Sequence, residues 1–386
     1  MTPRGRWSLL FLSTLPCVAG PDASARPVAR RPPTLGAFEV VLGNAFACGR
    51  DEAGTVRCWG ANERGERGDG ASRGSDLSSP ATAPVLTDAA QIVGGYHHAC
   101  ALRRDGTVAC WGGGGYGQLG DGTLQDRARP TTVPGLSNVL RIAAGQFFTC
   151  ALTTGGEVWC WGYNRWRVAA NMATERVVSP TRVSELRGVT SLAAAGDHAC
   201  ARTGDGALWC WGSNDWGQLG VGRRGGFRRP TRVQGVGEVA SVALGGTFSC
   251  VTRANGQVAC WGQNLFSPTQ TQIHPRPFVL TQIRALSELA CGAEDLCGRS
   301  ADGTVRCWGV NRYHQSAPRA QFAPDAPEEI QGLPPGVESL FVGPNAICVR
   351  GGEGRTRGLH CWGHNDHGQL GTGSNGDTTT PAKVRW

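Results

Sequence analysis

Residues 260–264 read Cys260-Trp261-Gly262-Gln263-Asn264: a cysteine, a large aromatic, a glycine able to bend the chain, and a turn-forming asparagine. The tripeptide Cys-Trp-Gly occurs seven times, opening at Cys58, Cys110, Cys160, Cys210, Cys260, Cys307 and Cys361, at intervals of 52, 50, 50, 50, 47 and 54 residues. A fixed period in this range marks a repeat architecture. The 386 residues therefore read as one repeat domain over 37–386, not as the two or three unlike domains that length alone suggests.

The second unit shows the internal grammar. An apolar run ending in glycine (Ile92 to Gly95) is followed by His-His-Ala-Cys-Ala-Leu, a turn at Asp105-Gly106, and Thr-Val-Ala-Cys-Trp. A glycine-rich loop and a run headed by Pro130 complete it. Short runs rich in β-branched and aromatic residues, bounded by Gly, Asp, Asn and Pro, are strands. No sustained apolar period of about 3.6 residues argues for helix. Four antiparallel strands per unit, seven units and no room for crossover helices predict an all-β fold, a seven-bladed β-propeller of four-stranded antiparallel blades. An open β-solenoid is the alternative.

The signature Gly-x-x-His-Ala-Cys-Ala-Leu, then Asp-Gly-x-Val-x-Cys-Trp-Gly, then Asn-x-x-Gly-Gln-Leu-Gly resembles the repeats of the regulator of chromosome condensation family, whose members are seven-bladed propellers. It is carried by Gly95 to Leu102, Asp105 to Gly112 and Gly117 to Gly120, and again by His198 to Leu219 and Cys361 to Gly371. WD-type propellers have shorter repeats ending in Trp-Asp, whereas these carry Trp-Gly. The resemblance implies the fold strongly and the function weakly. Founding members catalyse guanine-nucleotide exchange on a small GTPase, and secreted bacterial propellers of similar fold inhibit extracellular enzymes such as β-lactamases.

Gly-Gln-Leu-Gly is kept in the second, fourth and seventh units, blurred at Gly65 to Gly68 in the first, and lost from the third (RWRVAA), fifth (LFSPTQ) and sixth (RYHQSA). Varied loops on a repeat frame collect on one face, often the binding face. The candidate partner-binding residues are Arg165, Trp166, Arg167, Trp216, Phe266, Tyr313 and His314, with Arg223, Arg224, Arg228 and Arg229 between the fourth and fifth units. Drift in a tolerant loop is the competing reading.

The cysteines pair by spacing: Cys48 with Cys58, Cys100 with Cys110, Cys150 with Cys160, Cys200 with Cys210, Cys250 with Cys260, Cys297 with Cys307, and Cys348 with Cys361 across a longer tip. Each pair spans a glycine-containing turn, so its members should oppose across adjacent strands at about 4.5 to 5.5 Å between Cα atoms, within disulfide reach. Zinc would need two pairs to converge and lacks its usual knuckle spacing. Catalytic thiols would not recur seven times. Each bridge is expected to stabilise its blade by roughly 2.5 to 3 kcal/mol in the chain-entropy model, and the set places the protein in an oxidising compartment.

The N-terminus agrees. Arg4 and Arg6 precede an apolar run from Trp7 to Leu15 and an Ala23-Ser24-Ala25 cleavage motif, predicting a secretory signal over residues 1–25. Residues 26–36 form a Pro and Arg-rich linker. Lipidation at Cys17, giving an outer-membrane lipoprotein, is a weaker alternative because Thr14, Leu15 and Pro16 fit poorly ahead of it. Secreted or periplasmic is the expected location.

Cys291 is left unpaired where other units have Leu42, Gly94, Ala144, Ala194, Leu244 and Val342, which predicts a buried inert thiol. The repeated tryptophans read as packing between blades, and the asparagines from Asn62 to Asn365 as turn chemistry. His98 and His198 share their position with Phe46, Phe148 and Phe248, so packing is expected there. His360, His364 and His367 offer only Asp366 as an acidic partner, and the Asp-Gly pairs lack the dense carboxylates of a calcium loop. No cofactor or metal is expected.

The formal charge is +8, and every basic residue except Lys383 is arginine. Without regularly interleaved aromatics the arginines fit an acidic protein better than nucleic acid. The expected protein is a monomeric, non-enzymatic binder or inhibitor of a protein partner, acidic or an extracellular enzyme in the manner of the secreted propellers that it resembles. Nucleotide exchange and a glycan-acting or glycan-binding propeller are the alternatives. A glycan-cleaving enzyme would need carboxylates clustered at the channel mouth, and the sequence holds no repeated pair.

Overall fold

Each repeat folds into an antiparallel sheet whose strands follow one another in chain order. The second is Ala89–Gly94, His98–Arg103, Val108–Gly112 and Arg127–Thr132, from the innermost strand outward. The computed structural model describes residues 38–72, 76–169, 174–263, 272–283, 286–316, 326–354 and 357–386, all within one unit, Arg31–Trp386. The expected leader, Cys17, the linker and Phe266 lie outside the described residues.

Seven such sheets form the blades of a propeller. Six have four strands; the first has three, with its outer place taken by two isolated bridges, Val56 to Leu86 and Gly60 to Leu77. The ring is closed, because the inner strand of the first blade packs on that of the seventh. The terminal run answers how: Thr378–Lys383 is the outer strand of the seventh blade, so no strand is exchanged. Closure is made by side chains and by a backbone bond, the Gly373 N–H donating to the Ser78 carbonyl at 2.7 Å. Trp386 meets Phe38 and Trp59 edge-on at 5.0 and 6.1 Å between ring centres, and Arg350 lies over Phe38 and pairs with Glu52.

The Cys-Trp dipeptide works because adjacent strand residues face opposite sides of the sheet. Every third strand is buried on both faces at these positions. The cysteine side meets the following blade: Cys48 and Cys58 share an apolar cluster with Trp111, Cys250 and Cys260 with Trp308, and Cys348 and Cys361 with Trp59. The tryptophan therefore reaches back to the blade before it. Its indole N–H donates to a backbone carbonyl there: Trp111 to Glu66 at 2.9 Å, Trp161 to Gln118 at 2.9 Å, Trp211 to Val168 at 3.0 Å, Trp261 to Gln218 at 2.8 Å, Trp362 to Gln315 at 2.8 Å and Trp59 to Gln369 at 2.8 Å. A buried indole N–H without a partner would be destabilising, so the bond belongs with the packing.

All seven cysteine pairs are disulfides within a blade. Their Cα atoms are 4.0 to 4.1 Å apart, closer than the spacing expected for opposed residues. The glycine that follows each tryptophan has a positive φ, for example 95° at Gly112 and 105° at Gly262. A Cβ there would lie 2.4 Å from the carbonyl oxygen of His97 or 2.6 Å from that of Thr247. Only glycine permits this approach. At the same point the pairing with the outer strand slips by a bulge, and the chain leaves the sheet toward the mouth of the channel.

Candidate functional site

In a four-stranded meander, the turn after the first strand and the loop after the third emerge at the same end. Backbone bonds tie them together in every blade, as in Ala61 to Ala45, Gly113 to His97, Ser213 to Asp197 and His364 to Asn345, where each N–H donates to the carbonyl named second. One face of the ring thus carries seven short turns around the channel and seven longer loops outside them. The turns are also linked around the mouth: Asn44 N–H donates to Tyr96, Tyr96 to Gln146, and Gln146 to Gly196.

The conserved part of the longer loop is a socket. In the second blade, Gly120 leaves room for the next tryptophan, since a Cβ would lie 2.7 Å from Nε1 of Trp161. Gln118 folds back so that its Oε1 accepts the Tyr116 N–H at 2.9 Å. The loop asparagine is the brace: Asn214 Oδ1 accepts the Leu219 N–H at 3.2 Å and its Nδ2 donates to the Arg223 carbonyl at 2.8 Å. These asparagines bond their own turn, as the sequence predicts, but none takes the left-handed conformation among the described residues.

Of the diverged loops, the third and the sixth keep that geometry. Arg167 and His314 stand where other blades have Gly117, Gly217 and Gly368, and both adopt positive φ, 58° and 56°. A non-glycine residue there is strained, a pattern that recurs at functional sites. The sixth loop is less diverged than its sequence suggests: Gln315 Oε1 accepts the Tyr313 N–H at 2.9 Å, as Gln118 does in the second blade.

The predicted residues fall into four places. Arg165, Trp166 and Arg167 form the loop of the third blade. Arg165 lies over Trp166 at 5.2 Å, Arg167 lies over Phe227 at 5.4 Å, and the Trp166 side chain bonds to Asp197 of the next turn. Trp216, Arg223 and Arg224 are exposed in the fourth loop. Arg228 and Arg229, in contrast, lie on the outer strand Phe227–Arg232 and not in the loop. Tyr313 stacks on His364 of the seventh blade at 4.2 Å, away from the other residues.

Sequence reasoning missed the short turns and three of the four tyrosines. Tyr96, Tyr116 and Tyr163 gather around Phe147: Tyr116 lies 4.9 Å from both Phe147 and Tyr163, and Tyr96 lies 5.7 Å from Phe147. Arg176 covers Tyr116 at 5.7 Å. With Tyr313, these are all four tyrosines of the chain, and all lie at the same end of their blades, in a short turn (Tyr96), in long loops (Tyr116, Tyr313) or at the end of a third strand (Tyr163).

The mouth encloses a cavity of about 530 Å³, lined by residues of all seven blades. Two carboxylates do meet it, Asp197 and Glu294. Burial holds Asp197 above the usual carboxylate range, against the Trp166 bond and the Arg165 charge. Glu294 lies 3.9 Å from Arg312. Each is therefore engaged by a neighbour. Cys291 also lines the cavity, and burial, then the Asp295 charge, pushes its thiol pKa up, which disfavours the nucleophilic thiolate.

The buried histidines are packing positions. Nε2 of His198 is 2.8 Å from Oγ of Ser249, and that hydroxyl donates to the Gln218 carbonyl at 2.7 Å. The serine proton is thus directed away from the imidazole, which has to donate from Nε2. Burial pushes the pKa of both His98 and His198 down to about 3. In the sixth blade the same position holds Asp295, fully buried, bonded by Ser316 Oγ at 2.5 Å and Gln315 Nε2 at 3.2 Å. Burial pushes its pKa up to about 7.

His364, Asp366 and Asp377 bring three ligand atoms within 4.8 Å of one another, enough to hold a metal ion. Asp377 was not anticipated as a partner. Its Oδ1 accepts the Asn365 N–H at 2.7 Å and lies 3.2 Å from His364 Nδ1. Asp126 braces Gly114 in the same way in the second blade, so the contact is accounted for by the loop itself.

Comparison with known proteins places these repeats. The regulator of chromosome condensation (RCC1) repeat matches residues 105–152, 205–252 and 358–386, and a second description of that repeat matches 39–66, 89–118, 189–218 and 239–267, together more than half of the chain. Among curated proteins, the chain is 33% identical over 94 residues to the mitochondrial RCC1 domain-containing protein RUG3 of Arabidopsis thaliana, covering 24% of this chain and 21% of that protein. It is 30% identical over 132 residues to the probable E3 ubiquitin-protein ligase HERC6 of Homo sapiens, covering 30% of this chain and 13% of that one. Among solved structures, yeast RCC1 (Prp20) bound to Kap60 superposes with a TM-score of 0.77 at 18% identity, over 98% of this chain and 91% of that one. Human WBSCR16 gives 0.70 at 19% identity, over 81% and 86%. Prp20p of Saccharomyces cerevisiae, studied with its binding to Gsp1p and histones, gives 0.73 at 20% identity, over 93% and 88%.

Proposed function

The chain belongs to the regulator of chromosome condensation repeat family, and on that premise we propose that it is a secreted, disulfide-stabilised propeller that binds a protein partner through the loop face around the channel mouth. The observation that carries this reading is that the diverged loops, the exposed loop arginines Arg165, Arg223 and Arg224, and all four tyrosines share that face. Tyrosine, tryptophan and arginine are the residues that anchor protein interfaces. The rigid frame supports the same reading, since loops held by bonded sockets lose little freedom on docking.

Seven disulfides favour an oxidising location. No helix among the described residues is long and apolar enough to cross a membrane. Inhibition of an extracellular enzyme by covering its active-site mouth is the activity that best fits a rigid face of this kind.

The test is capture from the extracytoplasmic fraction with the wild-type chain, with Trp166→Ala and Arg223→Ala on the loop face, and with Asn255→Ala at a hairpin tip on the opposite face. Loss of one protein with the first two variants and its retention with the third is the expected result. Equal capture by all of them would refute the reading.

Family membership gives a second reading, nucleotide exchange on a small GTPase, as in the founding members. It predicts faster nucleotide release from a GTPase in the presence of the oxidised chain. Release at the intrinsic rate with a panel of GTPases would dispose of it.

A further inference from the structure

Residues 164–176 and 214–227, the stretches that leave the third strands of blades 3 and 4, carry Arg165, Arg167, Arg176, Arg223 and Arg224 against Glu175 and Asp215. The corresponding residues 264–273 of blade 5 hold no charge. Elsewhere on the molecule arginines find carboxylates, as Arg127 does in Asp121 at 2.7 Å, Arg182 in Glu157 at 2.8 Å and Arg306 in Glu329 at 2.6 Å. Among the described residues, none of the five loop arginines forms an ion pair.

The nearby carboxylates are engaged by other donors. Glu175 Oε1 accepts the Tyr163 hydroxyl at 3.4 Å, and Asp215 Oδ1 accepts the Gly226 N–H at 2.9 Å. Asp197, in the turn of blade 4, bonds the Trp166 side chain, and burial disfavours its charged form.

Aromatic rings hold three of the guanidiniums instead. Arg165 lies over Trp166 at 5.2 Å, Arg167 over Phe227 at 5.4 Å and Arg176 over Tyr116 at 5.7 Å. The Arg167 contact crosses from blade 3 to blade 4, where Asp215 and Asn214 pin the backbone at Gly226 and Arg223, so the two loops make one surface. Arg223 and Arg224 stand exposed on it. A guanidinium stacked on a ring keeps its fork of N–H donors at the edge, and that fork matches a carboxylate.

We propose that this sector of the face docks an acidic segment of the partner protein, whose neighbouring Asp and Glu side chains pair with the five guanidiniums. The inference rests on the binding reading above and supplies the chemistry of the partner. Arginine–carboxylate pairs are charge-assisted and often bidentate. Stacking in advance reduces the side-chain freedom lost on docking. A nucleic acid strand fits less well, because its bases would stack on aromatic faces, and three of the rings here already carry arginine.

The test is fluorescence anisotropy of labelled hexaglutamate with the full oxidised chain at low salt, beside labelled hexaglutamine and hexathymidylate. Arg223→Gln with Arg224→Gln removes two exposed charges of the sector, and Arg187→Gln with Arg232→Gln removes two exposed charges at the end of the blades away from the mouth. Both pairs lower the net charge of +8 equally. Hexaglutamate should bind and hexaglutamine should not. The first pair should weaken hexaglutamate binding at least about tenfold, and the second should change it less than about twofold. Near-UV circular dichroism of the buried tryptophans verifies that both variants are folded. Equal weakening by the two pairs would reduce the effect to net charge and overturn the proposal, as would tighter binding of hexathymidylate than of hexaglutamate, or no binding of either. A captured partner that is lost with Trp166→Ala, yet kept by the Arg223→Gln, Arg224→Gln protein and not displaced by hexaglutamate, would end the acidic assignment and leave the binding reading intact.

Discussion

The indole N–H of Trp261 donates across a blade boundary to the backbone carbonyl of Gln218 at 2.8 Å, and the same oxygen accepts the Ser249 hydroxyl at 2.7 Å. Both lone pairs of one carbonyl are thus used by the following blade. The loop that presents a variable surface to solvent is also the seat of its neighbour's largest side chain.

Trp261→Phe removes the donor and part of the volume together. The expected loss is about 2 kcal/mol or more, from an unfilled space and a missing hydrogen bond. Trp216→Phe, at a side chain 41% exposed, should change stability by less than about 0.5 kcal/mol. Chemical denaturation of the oxidised protein compares the two. Similar losses would show that the indole bond between blades carries little.

Arg167 occupies a glycine position at φ 58°. Releasing a side chain from left-handed backbone recovers about 1 kcal/mol, so Arg167→Gly should raise the melting temperature. Gly217→Ala, at φ 75° and with Pro275 Cα 2.9 Å from the added Cβ, should lower it. If partner capture falls in the stabilised Arg167→Gly protein, the strain serves binding.

Asp295 makes stability fall as pH rises. Its pKa is raised from 3.8 to about 7 by burial, so between these values the folded chain holds a proton that the unfolded chain has released. The associated stability is fully present below 3.8 and is lost as pH passes through about 7. Asp295→Asn should flatten that part of the profile and leave the neutral chain more stable than wild type at pH 8. An unchanged profile in denaturation titrations would contradict the buried-carboxylate account.

His98 and His198 act in the opposite direction. Burial lowers each from 6.5 to about 3, so the unfolded chain binds protons that the folded chain does not. Their contribution is present above 6.5 and is lost as pH falls toward 3. His198→Phe, the residue found at the equivalent Phe148 and Phe248, should weaken the acid limb. Measuring it in the Asp295→Asn background separates the two opposing groups.

Reduction should unfold the blades cooperatively. Each bridge closes a short loop, at roughly 2.5 to 3 kcal/mol in the chain-entropy model. Peptide mapping should return the seven pairs within blades, with half-buried Cys291 alkylated slowly in the native chain because its raised pKa leaves little thiolate. Rapid labelling of Cys291 in the native chain would contradict its raised thiol pKa.

Much of the frame was legible because it is local and periodic. Cys250 and Cys260 sit 10 residues apart across one hairpin, so the turn between them fixes their opposition. The partner of Trp261 was not legible beyond its being in a neighbouring blade, because Gln218 lies 43 residues earlier in the loop of another sheet. The sixth loop was judged lost by its letters, yet Gln315 keeps the bond that defines the socket. Arg228 and Arg229 were grouped with loop residues by proximity in sequence, and strand pairing placed them on the outer edge.

By itself the sequence determined the unit: seven strand-forming repeats, a cysteine pair within each and a glycine wherever the chain must leave the sheet. A disulfide, a hairpin and a positive φ are set within a span of about a dozen residues, and repetition states them seven times. Tertiary structure decided what the units present together. The ring brings Trp59 to Gln369, 310 residues away, and sets Tyr116 against Tyr163 and Tyr313 against His364. Those neighbours follow from blade order around a closed circle, and only closure brings the first and last blades together.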